Sequence, residues 1–180
     1  MQPILVKDKR FKVSMPASKI QARVQEVGAQ ISHDYEGRTP MFISVLTGAF
    51  IFAADLVRSV ATPSEIAFIR VASYEGTDST GEVKEVLGLK EDIAGRDVII
   101  VEDIVDTGLT MQELVGLLEK KNPHSIAICS LLVKPDKLQV HDLPIKYRCF
   151  DIPNDFILGY GLDYDGLGRE LPDIYTLVTE

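Results

Sequence analysis

The stretch DVIIVEDIVDTGLT, residues 97–110, decides the fold of this chain. Its first part, residues 97–101, is the strongest indication in the sequence of a strand buried on both faces. A short acidic segment follows, and the apolar spacing then predicts an amphipathic helix over residues 107–120. A buried strand that runs through a tight loop into a helix is typical of a βαβ unit, and therefore of a parallel sheet.

Further strands and helices alternate on both sides of this unit. Strands are predicted at 4–6, 11–15, 41–46, 65–74, 83–89, 125–133, 147–152 and 173–178. One helix is predicted to begin at Pro16 and stop before Gly37, and a second to cover about residues 48–60. We therefore predict an α/β fold with a central, mostly parallel sheet, right-handed crossovers and helices on its faces.

The composition is that of one globular domain. The chain has 180 residues, of which 46% are hydrophobic and 26% charged, and its net charge is −8. This negative charge disfavours nucleic acid and anionic membranes as partners, but it does not exclude a small anionic substrate. With no leader-like segment and no apolar run of membrane-spanning length, we expect a soluble, cytoplasmic protein.

Two smaller sets of residues are interpreted structurally. Cys129 and Cys149 lie in apolar stretches outside any CxxC pair, so we expect buried core thiols rather than a disulfide or a zinc site. The basic residues Lys7, Lys9 and Arg10 are expected to form a solvated face.

The segment after the central strand suits a phosphorylated sugar. In open α/β sheets, ligands bind beyond the carboxyl ends of the strands. Residues 106–110 offer backbone amides and hydroxyls at a helix N-terminus, which favours a phosphate group. Glu102 and Asp103 supply acceptors for ribose hydroxyls or a cation. No P-loop lysine or GxGxxG is present, which argues against a nucleotide kinase or a Rossmann dehydrogenase. In the alternative reading, these acids only cap the helix.

The segment VEDIVDTGLT, residues 101–110, resembles the phosphoribosyl-pyrophosphate motif of the type I phosphoribosyltransferases, and most closely that of the hypoxanthine-guanine phosphoribosyltransferases. Four more segments carry the resemblance: Leu46-Thr47-Gly48, Ser73-Tyr74, Leu132-Val133-Lys134, and residues 156–163 with Arg169. The resemblance implies a type I phosphoribosyltransferase fold. It places a single domain over residues 1–180, with a core at about 16–150, a small hood from 1–15 and 151–180, and a lid loop at about 73–84.

The activity implied by the resemblance is purine salvage. A 5-phosphoribosyl group would pass from phosphoribosyl pyrophosphate to N9 of hypoxanthine or guanine, giving IMP or GMP and pyrophosphate, with Mg²⁺ as cofactor. The expected partners are these small molecules and further copies of the chain, as a homodimer or homotetramer. Two alternatives stay open: a sister transferase for another base, and a regulator of the same fold that binds phosphoribosyl pyrophosphate without catalysis. The sequence also leaves open the preference between hypoxanthine and guanine.

The resemblance also implies a role for each matching residue on the phosphoribosyl side. Asp106 would be the catalytic base near purine N7. The residues implied to bind phosphoribosyl pyrophosphate are Leu46, Thr47, Gly48, Glu102, Asp103, Asp106, Thr107, Gly108, Leu109, Thr110 and Arg169. Ser73 and Tyr74 would head the lid. Thr47 stands where the family often has a basic residue. The resemblance implies that the Leu46-Thr47 peptide is the strained bond, and the sequence leaves open whether it is cis.

On the purine side, the resemblance implies four residues. Lys134 would donate to O6, Phe156 would stack on the base, and the Ile157 carbonyl would read the ring N–H. Asp163 would lie beside the purine and also serve as a metal ligand. The implied metal set is completed by Glu102 and Asp103.

Overall fold

The computed structural model describes residues 2–73 and 83–179. The strands are β1 Ile4–Val6, β2 Lys9–Met15, β3 Met41–Val45, β4 Glu65–Ser73, β5 Val83–Leu87, β6 Asp97–Val105, β7 Ser125–Val133, β8 Ile145–Asp151, β9 Ile157–Leu158 and β10 Ile174–Leu177. The helices are α1 Ala17–Asp34, α2 Phe50–Ser59 and α3 Leu109–Glu119, and a short 3₁₀ turn covers Pro135–Lys137.

The larger sheet has six strands in the order β5-β4-β3-β6-β7-β8. Its last five strands pair in parallel, while β5 lies antiparallel to β4 at the edge. Helices α1 and α2 cover one face, where Ile20, Val24 and Phe52 enter the core. Helix α3 covers the other face through Met111 and Leu114. The predicted α/β class with a mostly parallel, helix-flanked sheet is confirmed.

A second sheet joins segments from both parts of the chain that flank the core. Its order is β1-β2-β10-β9, with every pairing antiparallel. Phe11 of β2, Leu158 of β9 and Tyr175 of β10 form its small buried core. This arrangement carries the segment that follows β8 back to the carboxyl edge of the larger sheet.

The central strand is longer than the sequence predicted. β6 continues to Val105, four residues past the predicted end at position 101, because its parallel ladder with β7 persists through Glu102 and Ile104. A carboxylate therefore does not end this strand, since the backbone pairing is independent of side-chain polarity. Helix α3 begins at Leu109, two residues later than predicted, after Gly108 in a left-handed conformation with φ 86°.

Two other sequence-based expectations have structural outcomes. Cys129 and Cys149 are both free and buried, as predicted. Among the described residues, no helix is both long enough and apolar enough to cross a membrane.

Candidate active site

A cavity of about 160 Å³ lies at the carboxyl end of β6. All of its lining residues come from the strand, the loop and the first turn of α3: Glu102, Asp103, Ile104, Val105, Asp106, Thr107, Gly108, Thr110 and Met111. The structure therefore brings most of the residues predicted to bind the phosphoribosyl group around one concave surface.

The loop that leads into α3 is supported from behind by the segment after the 3₁₀ turn. The Thr107 carbonyl accepts a hydrogen bond from the Gln139 amide at 2.8 Å, and Thr107 Oγ1 accepts one from the Leu109 amide at 3.3 Å. A β-carbon on Gly108 would lie 2.8 Å from Leu143 Cδ1, which is too close. Glycine is favoured at position 108 chiefly by its positive φ, while the leucine side chain could move aside.

Asp106, the predicted base, has two carboxylate oxygens in different environments. Oδ2 lies 3.5 Å from Nζ of Lys137 in the 3₁₀ turn. Oδ1 is buried and has no hydrogen-bond partner within the described residues. An unsatisfied buried acceptor is costly, so Oδ1 is prepared to accept a proton or an N–H from a ligand.

The neighbouring acids Glu102 and Asp103 are bound to the backbone around them. Glu102 is only 8% exposed, and its Oε1 accepts the Asp103 amide at 2.9 Å. Burial, followed by the charge of Asp103, raises the pKa of Glu102 well above its usual value. Asp103 Oδ1 accepts the Ile104 amide at 2.7 Å. Burial therefore disfavours the charged form of Glu102.

The Leu46-Thr47-Gly48 segment leaves β3 directly beside these acids. Its Leu46-Thr47 peptide is cis, a point that the sequence left open. The Leu46 amide donates to the Ile69 carbonyl of β4 at 2.8 Å, and Thr47 Oγ1 accepts a hydrogen bond from Arg70 Nη2 at 3.4 Å. Sequence reasoning missed Arg70. Its place near the carboxyl end of a predicted parallel strand was the available signal.

Phe156, predicted to stack on the purine, is 45% exposed. The Tyr164 ring lies edge-on to it, with centroids 5.6 Å apart, and the Phe11 centroid is 6.1 Å away. The Tyr164 hydroxyl donates to Asp8 Oδ1 at 2.7 Å. The phenyl ring that would stack on a base is therefore braced by an aromatic cluster from the smaller sheet.

The basic cluster near the start of the chain is exposed at Lys7 and Arg10, and two of its lysines also contact the segment around Tyr164. Lys9 Nζ lies 4.9 Å from the Tyr164 ring centroid and 5.9 Å from that of Phe156. Lys7 forms an ion pair with Asp165. These contacts depend on the pairing of β2 with β10, which the local sequence did not reveal.

Lys134 and Ile157, the other residues predicted on the purine side, are both 8% exposed. Lys134 follows β7, and its backbone amide donates to the Val105 carbonyl at 3.0 Å, which places it beside the loop of Asp106. Ile157 lies in β9 opposite Thr176 of β10.

Asp163 and Arg169 bind each other. Arg169 Nη2 lies 3.1 Å from Asp163 Oδ1, and Arg169 Nη1 donates to the Gly161 carbonyl at 2.6 Å. Asp163 Oδ2 accepts the Gly166 amide at 2.7 Å. The guanidinium predicted to contact pyrophosphate is thus already engaged with the predicted metal ligand.

The lid prediction falls mostly outside the described residues. Ser73 is the last residue of β4, whereas Tyr74 and residues 75–82 are not described.

Comparisons with known proteins agree with this geometry. The family model for the phosphoribosyl transferase domain matches residues 16–165. The hypoxanthine-guanine phosphoribosyltransferase of Mycobacterium bovis is 46% identical over 172 residues, covering 92% of this chain and 85% of that protein. The hypoxanthine phosphoribosyltransferase of Salmonella typhimurium is 41% identical, with 92% and 94% covered. A solved Trypanosoma cruzi hypoxanthine phosphoribosyl transferase is 37% identical, with a TM-score of 0.88 and 98% and 95% covered. The chain therefore belongs to the phosphoribosyl transferase family and, within it, to the hypoxanthine-guanine phosphoribosyltransferases.

Proposed function

We propose that this protein transfers the 5-phosphoribosyl group of phosphoribosyl pyrophosphate to N9 of hypoxanthine or guanine, releasing IMP or GMP and pyrophosphate in purine salvage. The observation that carries the proposal is the cavity after β6, where the buried Oδ1 of Asp106 adjoins the loop at the start of α3 and has no hydrogen-bond partner among the described residues.

The 5-phosphate is assigned to the loop that precedes α3. Backbone amides from Asp106 to Thr110, together with the Thr107 and Thr110 hydroxyls, suit a phosphate at a helix N-terminus. Leu109 would take part through its amide, since its side chain is 41% exposed and apolar. Glu102 and Asp103 are assigned to the ribose hydroxyls.

Asp106 is assigned the role of general base. Its Oδ1 would accept the proton at purine N7, which makes N9 more nucleophilic toward the anomeric carbon. Lys134 would donate to O6, so that a 6-oxopurine is preferred over a 6-aminopurine. Phe156 would stack on the ring, and the Ile157 carbonyl would accept the ring N–H.

The donor set fits Mg²⁺ held together with substrate. Within the described residues, no group of three or more potential ligands comes together. Mg²⁺ is often bound by one or two carboxylates plus substrate phosphates, and Asp163, Glu102 and Asp103 would supply those carboxylates. When bound, the ion would neutralise charge on the departing pyrophosphate.

Residues 73–84, headed by Ser73 and Tyr74, are proposed to close over the site and exclude water.

We also propose a homodimer or homotetramer. Phe50 of α2 and Ile66 and Phe68 of β4 are 39%, 38% and 44% exposed, which favours burial against another copy. Light scattering on the wild type and on Phe68→Glu would test this. A wild-type monomer would contradict it.

A cytoplasmic location is proposed as well, since the two free buried thiols suit a reducing compartment.

An absorbance assay tests the proposed activity. Hypoxanthine, guanine, xanthine and adenine are each supplied with phosphoribosyl pyrophosphate, with and without Mg²⁺. We expect turnover of hypoxanthine or guanine that requires the metal, and little with adenine. Tight binding of phosphoribosyl pyrophosphate without turnover of any base would instead favour a regulator.

A further inference from the structure

We propose that Arg70 is a further binding residue for the pyrophosphate group, acting together with the loop at Thr47 and Gly48. This inference rests on the proposed function, because it assigns a cation to one part of that same substrate. The residue lies on β4, outside every segment that the sequence pointed to.

The sheet register brings Arg70 to the loop. β3 and β4 run in parallel, with Val45 opposite Ile69, and the Leu46 amide donates to the Ile69 carbonyl at 2.8 Å. Leu46 and Arg70 follow this pair along the two strands, so they lie at the same edge of the sheet. Arg70 Nη2 donates to Thr47 Oγ1 at 3.4 Å, so the guanidinium lies over the loop and is exposed.

Two other cations near the site, Arg169 and Lys137, are engaged with acidic residues. Arg169 is held by Asp163 and by the Gly161 carbonyl. Lys137 pairs with Asp106. Within the described residues, Arg70 is the cation that contacts the Leu46-Thr47-Gly48 loop.

The charge already present at this loop is negative, which favours a cation beside a bound polyanion. The Asp103 carboxylate lies against Gly48, so the backbone that would meet pyrophosphate already has a negative neighbour. A guanidinium carries five N–H donors in a planar fork. One of them reaches Thr47 Oγ1. A fork of this shape can bind phosphate oxygens in a bidentate manner. Thr47 would thus orient the guanidinium while the Gly48 backbone approaches the anion.

If Arg70 binds pyrophosphate, its loss should weaken the binding of ligands that contain pyrophosphate and leave the binding of other ligands unchanged. Isothermal titration would give the Kd of magnesium pyrophosphate, phosphoribosyl pyrophosphate and IMP for wild type, Arg70→Ala and Arg70→Lys. Arg58→Ala is the matched control, because Arg58 is an exposed arginine in the last turn of α2. Charge-assisted hydrogen bonds of this kind correspond to about a tenfold change in Kd.

We expect Arg70→Ala to weaken both pyrophosphate and phosphoribosyl pyrophosphate about tenfold, with Arg70→Lys between it and wild type. IMP affinity should stay within about twofold of wild type, because the nucleotide has no pyrophosphate. Unchanged pyrophosphate affinity in Arg70→Ala would overturn the inference. Equal weakening of IMP would also overturn it, since it would indicate a structural role.

The wild-type measurements test the proposed function separately. If wild type neither binds phosphoribosyl pyrophosphate nor turns over any purine, the proposed function fails. If wild type is active and Arg70→Ala binds every ligand like wild type, only the role of Arg70 is rejected.

Discussion

The carboxylate of Asp103 occupies the space that a β-carbon on Gly48 would need, because that carbon would overlap Asp103 Oδ2. Two chain segments that are far apart in sequence therefore meet without any side chain between them. Since Gly48 is assigned to pyrophosphate and Asp103 to ribose, this contact sets the spacing between the two halves of the proposed phosphoribosyl site.

Gly48→Ala should push Asp103 or the loop aside. We expect KM for phosphoribosyl pyrophosphate to rise at least about tenfold, because displacements of about 1 Å at a positioned site cost that much or more. Steady-state kinetics with saturating hypoxanthine measures the change. Gly116→Ala is the control. Among the described residues outside its own helix turn, no atom lies within 4 Å of a β-carbon at Gly116. A helical Gly→Ala change there should stabilise α3 by about 1 kcal/mol without altering KM. A normal KM in Gly48→Ala would show that the contact is not needed.

Asp106→Asn should remove the proposed base while keeping the shape of the side chain. We expect kcat to fall about 100-fold or more, because a positioned general base contributes that range, while the Kd of phosphoribosyl pyrophosphate changes little. Single-turnover kinetics and titration of the substrate separate the two effects. Near-normal kcat would refute the assignment of Asp106 as base.

Glu102→Gln should change how stability depends on pH. Burial raises the pKa of Glu102 in the folded protein above its ordinary value of 4.5. The stability from this group is therefore fully present below about pH 4.5, and it is lost as pH rises through the folded-state pKa. As pH rises above about 4.5, the free energy of unfolding of wild type, measured with urea, should decline. The free energy of unfolding of Glu102→Gln should decline less over the same pH values. Glu119→Gln, an exposed change at the end of α3, is the control and should follow wild type.

Tyr164→Ala should weaken the purine side. Loss of the edge-on contact with Phe156 and of the hydrogen bond to Asp8 frees the phenyl ring to reorient. We expect KM for hypoxanthine to rise about fivefold, the equivalent of about 1 kcal/mol for an aromatic pair, with KM for phosphoribosyl pyrophosphate unchanged. Tyr164→Phe keeps the ring and should lie near wild type. If Tyr164→Ala and wild type have the same KM for hypoxanthine, the aromatic cluster does not contribute to binding of the base.

The sequence predicted the parts of the site that are continuous along the chain. The bounds of β7, Ser125–Val133, were predicted without error because nearly every residue is apolar and buried. The loop from Asp106 to Thr110 could be read because its donors follow one another. Arg70, Lys137 and Lys9 could not be assigned in this way. Their partners lie on other elements, and sheet register and a short 3₁₀ turn decide those contacts.

The position of β10 between β2 and β9 has a consequence for synthesis of the chain. β9, which contains Ile157 and follows Phe156, joins the smaller sheet through β10. The loop from Asp106 to Thr110 is supported by β6, β7 and the segment after the 3₁₀ turn, all of which precede β9 in the chain. A nascent chain that has not yet exposed Ile174–Leu177 therefore already has the strands that support its phosphate loop, but not the strand that orders its purine segment. The proposed contacts to the base from Phe156 and Ile157, unlike that from Lys134, therefore depend on a strand that is synthesised after the other described elements.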